Sequence, residues 1–72
     1  MKKVTTKNGT TLYLPSVHEI NSAYSNDSGF CIACGEEAYG VEPDARNYTC
    51  ECCDKSKVFG VEELMLRGIY HN

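Results

Sequence analysis

No stretch of this sequence approaches the roughly 20 consecutive apolar residues that a membrane-spanning helix needs. Met1-Lys2-Lys3 is followed almost at once by polar Thr5, Thr6, Lys7, Asn8 and Gly9 rather than by an apolar run. The expectation is therefore a chain without a secretory signal, a mature secreted fragment being the other case. A basic surplus is missing as well. Seven Lys and Arg stand against ten Asp and Glu, a formal net charge of −3, which argues against a general nucleic-acid binder. No glycine-rich phosphate loop and no nucleophile–base constellation stands out, so the expectation is a protein that is not an enzyme. Internal repeats and low-complexity linkers are also lacking, apart from two cysteine pairs.

Seventy-two residues make one domain, 1–72, read here as an N-terminal segment over residues 1–29 and a cysteine-bearing segment over residues 30–72. A core this small supplies about 3–5 kcal/mol of net stability, so such domains often carry a staple. Five cysteines are present. The odd number suits four ligands and one spare thiol better than a closed set of disulfides, and it points to a reducing, cytoplasmic setting.

The pattern is Cys31-x2-Cys34, fifteen residues, then Cys50-x2-Cys53. Two residues between thiolates allow a tight turn to aim both sulfurs at one ion about 2.3 Å away. The longer excursion leaves room for a hairpin that brings the second pair opposite the first. The expected site is one structural Zn²⁺ held by Cys31, Cys34, Cys50 and Cys53, with iron as the alternative metal. Gly35 follows the first pair and suits the positive φ that such a turn requires. Asp54 follows the second pair and tolerates it better than most residues.

Around this site the sequence predicts a small α+β fold. Val4–Thr6 and Thr10–Leu14 read as a hairpin across Asn8-Gly9 in a type I′ turn. Leu12 and Leu14 share one face and Tyr13 the other. Ser16 followed by Glu19 is a capping box opening a helix over 16–25, with Val17, Ile20 and Tyr24 toward the core. Asn26 to Gly29 ends it. Glu37–Val41 and Arg46–Thr49 read as strands paired across the Glu42-Pro43-Asp44-Ala45 turn, with a third strand over 56–60. A last helix spans 61–67, buries Val61, Leu64 and Met65, and ends at Gly68.

Cys31-Ile32-Ala33-Cys34-Gly35 and Cys50 to Cys53, joined by a turn-forming segment, resemble a zinc ribbon with two zinc knuckles. The stretch from Phe30 to Leu66, about half the chain, is similar to the very small zinc-ribbon proteins of bacteriophages and related bacterial elements. Glu42 to Arg46 and Gly60 to Leu64 add to that similarity. The resemblance implies a tetracysteine site on a hairpin or three-stranded sheet, and no specific activity. Cys52 beside Cys53 also resembles the vicinal pair of desulforedoxin-like iron proteins. Ligation by Cys31, Cys34, Cys52 and Cys53 is the rival reading.

Charge is uneven. Residues 1–15 hold Lys2, Lys3 and Lys7 without an acid, and residues 31–45 hold Glu36, Glu37, Glu42 and Asp44 without a base. These four acids, read as the tip of an exposed hairpin, point to a protein partner; the resemblance to phage zinc ribbons alone implies bacterial or phage transcription, replication or defence machinery as its setting. Two other functions compete. One is nucleic-acid binding, should Lys2, Lys3, Lys7, Arg46, Lys55 and Lys57 converge, with Tyr39, Tyr48 and Phe59 as stacking rings. The other is rubredoxin-like electron transfer on iron. His18 and His71 read as solvated side chains.

Overall fold

The computed structural model describes all 72 residues. Strands β1 (Lys2–Thr5) and β2 (Thr11–Leu14) form an antiparallel hairpin. Helix α1 (Val17–Ser25) follows, then β3 (Ser28–Cys31), β4 (Glu37–Tyr39), β5 (Val58–Gly60) and helix α2 (Val61–Leu66). The last three strands make a second antiparallel sheet in the order β4-β3-β5. The α+β class is as expected.

The hairpin forms where Asn8-Gly9 placed it, with a different turn. Only Gly9 has a positive φ, at 81°. The Gly9 amide donates to the Thr6 carbonyl at 3.0 Å and the Thr6 amide to the Thr10 carbonyl at 2.8 Å. This is a type I turn closed by a left-handed glycine rather than a type I′ turn, which would need positive φ at Asn8 too.

Helix α1 starts at the expected capping box. The Glu19 amide donates to Ser16 Oγ at 3.0 Å and the Ser16 amide to Glu19 Oε1 at 2.9 Å. Replacing Ser16 by alanine is expected to cost about 1 kcal/mol, read as a lower urea midpoint with an unchanged slope. The buried face of α1 matches the expected one only at Ile20. Ile20 and Ala23 are buried, whereas Val17 and Tyr24 are exposed. Helical spacing defines a stripe, but the docking surface selects which side of it turns inward.

Helix α2 ends in a Schellman motif. The Ile69 amide donates to the Leu64 carbonyl at 2.9 Å and the Gly68 amide to the Met65 carbonyl at 3.2 Å, with Gly68 at φ 69°. Val61 and Leu64 are buried as expected; Met65 is half exposed. Arg67 caps the helix, pairs with Glu63 at 2.8 Å and lies over the Phe59 ring.

The central strand β3 sorts the core into two halves, because consecutive side chains of a strand point to opposite faces. Phe30 pairs with Phe59, and both join Ile20, Ala23, Ile32, Val61 and Leu64 under the helices. Cys31 pairs with Val58, and both join Val41, Ala45 and Cys50 on the other face. Asn26 and Asp27 end α1, while Ser28 and Gly29, expected to extend that stop, begin β3.

The expected pairing of 37–41 with 46–49 does not occur. Strand β4 pairs with β3 instead. From the 46–49 segment only Tyr48 makes a bridge, to Val58 of β5. The turn at Glu42 to Ala45 is real, with the Ala45 amide donating to the Glu42 carbonyl at 3.0 Å. It lies against the sheet where Gly29 faces Gly60. There the Pro43 carbonyl accepts from the Glu62 and Glu63 amides at 3.0 and 3.2 Å, and so caps α2 in place of an N-cap side chain.

Candidate metal centre

Two six-residue turns of matching design carry the cysteines. In the first, the Gly35 amide donates to the Cys31 carbonyl at 2.8 Å and the Cys31 amide to the Glu36 carbonyl at 2.9 Å. In the second, the Asp54 amide donates to the Cys50 carbonyl at 2.8 Å and the Cys50 amide to the Lys55 carbonyl at 2.9 Å. Gly35 and Asp54 both adopt positive φ, 83° and 63°. Residues 31–36 and 50–55 are thus the same knuckle twice. Each loop directs its amides inward, where they can meet sulfur.

The sheet brings the pairs together. Cys31 ends β3 beside Val58 of β5, and the Tyr48–Val58 bridge leads the chain into Cys50. The N-terminal hairpin braces the first knuckle. The Tyr13 amide donates to the Ile32 carbonyl at 2.9 Å. Its ring lies so near Gly35 that an added Cβ would stand 3.1 Å from it. That packing was not anticipated, since nothing local to Tyr13 indicates it.

The sulfurs of Cys31, Cys34, Cys50 and Cys53 all lie within 4.8 Å of one another. Cys31 and Cys53 are 3.7 Å apart, Cys34 and Cys50 3.6 Å. Bonds of about 2.3 Å in a tetrahedron require sulfur separations of about 3.8 Å. The donor set therefore fits one ion of that size, zinc or iron. Cys31 and Cys50 are buried, and Cys34 and Cys53 half-buried.

The fifth thiol is elsewhere. Cys52 is exposed and outside the cluster, and it occupies the second knuckle's equivalent of Ala33. Its backbone still serves the site, because the Cys52 amide donates to Cys50 Sγ at 3.3 Å. The Cys53 and Cys52 amides hold the Cys50 thiol down to about 7. Burial pushes the Cys31 and Cys34 thiols up instead. Four crowded sulfurs thus favour a cation that lets them ionise together.

The remaining candidates scatter. His18 is exposed, whereas His71 is half-buried with an enclosed Nε2, correcting the expectation of a solvated ring; neither joins the cysteines. Phe59 is core. Arg46 lies 3.9 Å from Glu63. Glu36, Glu37, Glu42 and Asp44 do not share a hairpin tip. Glu37 is half-buried and accepts from Ser28 Oγ at 2.6 Å, and Glu42 accepts from the Tyr48 hydroxyl. Glu36 and Glu37 instead border a groove together with Glu51, a residue with no sequence signal of its own. No helix is long and apolar enough to cross a membrane. No family model, no curated protein and no solved structure matches this chain.

Proposed function

We propose that this protein is a non-catalytic interaction module in which Zn²⁺, bound by Cys31, Cys34, Cys50 and Cys53, stiffens a small sheet that presents a surface to a protein partner. The observation that carries this reading is the spacing of the four sulfurs, which suits a closed tetrahedral ion. A metal held by four protein ligands keeps no position for substrate or activated water, so its contribution is to stability and shape. The setting is the cytoplasm, in bacterial or phage transcription, replication or defence machinery, on the strength of the resemblance to phage zinc ribbons. A protein partner is favoured over a nucleic acid by the net charge of −3, to which a tetrathiolate zinc site adds further negative charge.

Elemental analysis of protein purified without added metal tests the metal. The expected result is one zinc per chain and no visible colour. A red protein holding one iron with reversible one-electron chemistry would replace this reading with electron transfer.

A further inference from the structure

Between β4 and the second knuckle runs a groove of about 550 Å³. Its floor includes Val41 and Val58, and Tyr39 and Tyr48 stand along it, 73% and 42% exposed. Glu36, Glu37 and Glu51 border the same groove, and no Lys, Arg or His lines it. Cys50 also reaches it, so the negative charge that the four sulfurs would carry around a metal would lie alongside.

We propose that this groove takes an arginine-bearing segment of the partner protein. The stem of an arginine lies on the apolar floor, its guanidinium meets the carboxylates of Glu36 and Glu51, and Tyr39 supplies a ring face. Glu37 and Tyr48 are already held by Ser28 and Glu42, and so shape the walls. Charge complementarity selects this occupant. A phosphate backbone would meet three carboxylates and no base, and an uncharged apolar segment would leave the carboxylates of Glu36 and Glu51 without partners. The inference deepens the interaction-module reading and rests on it.

The test uses the full chain with its metal bound and ¹H–¹⁵N spectra recorded during titration. The probe is a blocked tetra-arginine peptide, with the neutral citrulline version as control. Shifts are expected at Ala38, Tyr39, Thr49, Glu51 and Cys52, and none with citrulline. Glu36→Gln with Glu51→Gln should weaken binding at least tenfold. Tyr39→Ala should weaken it several-fold and Tyr39→Phe should not. Asp27→Asn with Glu62→Gln removes equal charge away from the groove and should change affinity less than twofold. Metal content and the dispersed spectrum report folding in every variant. The proposal is overturned by absent binding, by shifts spread over other acidic residues, by equal loss in the distant double variant, or by a single-stranded oligonucleotide displacing the peptide from these same residues. A metal-free but folded preparation would instead count against the metal reading, so the two failures are distinguishable.

Discussion

Serine in place of Cys31, Cys34, Cys50 or Cys53, one at a time, is expected to abolish tight metal binding and leave the chain largely unfolded. The magnitudes decide this. Structural zinc contributes roughly 10–16 kcal/mol of apparent binding energy in small domains. The apolar core here comprises two clusters of seven and five buried residues, and a core of that size nets about 3–5 kcal/mol. Cys52→Ser should keep both metal and fold, because its side chain is exposed and its contribution to Cys50 comes from the backbone amide. Loss of metal in Cys52→Ser with retention in Cys50→Ser would reverse the ligand assignment in favour of the vicinal pair. Circular dichroism with a metal-release dye reads both quantities, and a strong chelator should reproduce the single-serine result. Acid should act in the same direction. The ligands are thiolates in the metal-bound fold and thiols of ordinary pKa, about 8.5, in the unfolded chain. Unfolding therefore takes up protons, and stability falls as pH falls below that value.

Gly60→Ala is expected to be among the most damaging changes that touch no cysteine. An added Cβ would stand 2.1 Å from the Glu42 carbonyl oxygen and 2.4 Å from that of Pro43. Those are backbone atoms, so no rotamer change relieves the clash. The Pro43 carbonyl also caps α2, so moving the turn strips Glu62 and Glu63 of their acceptor. Gly60 sits at φ −72°, where alanine is comfortable, which makes the whole effect steric. A loss at or beyond the top of the roughly 1–3 kcal/mol range for overpacking is expected. Gly40→Ala is the comparison. It has a positive φ of 71° but open space around it, so its cost should stay near the roughly 1–2 kcal/mol of a left-handed residue. Urea unfolding of the metal-loaded proteins checks the order. A milder Gly60→Ala would mean that the 42–45 turn does not bear on the sheet as described.

What could be read from residues alone was what is encoded within a few residues. A knuckle closes through bonds between positions 31 and 36 or 50 and 55, so the CxxC pairs, Gly35 and Asp54 carry their own geometry. The capping box at Ser16 and Glu19 and the helix stop at Gly68 are equally local, as is the position of the Asn8-Gly9 turn. The four clustered cysteines follow from that locality together with an excursion long enough to return.

Whatever depended on partners far along the chain was settled by the assembled fold. Strand β4 was expected beside 46–49, and its pairing with β3 instead goes with the Glu42 to Ala45 turn crossing the sheet at Gly29 and Gly60. No window around Pro43 contains Gly60. Val17, Tyr24 and Met65 have the right helical spacing for a core and are nonetheless exposed, since α1 and α2 meet the sheet through Ile20, Ala23, Val61 and Leu64. A helix's own period leaves its rotation free; docking fixes it. The same holds for Glu51, which becomes a wall of the groove only because the second knuckle folds back beside β4. Short-range chemistry was enough to set the two cysteine-bearing turns, whereas the surface they support depends on which strands meet in the sheet.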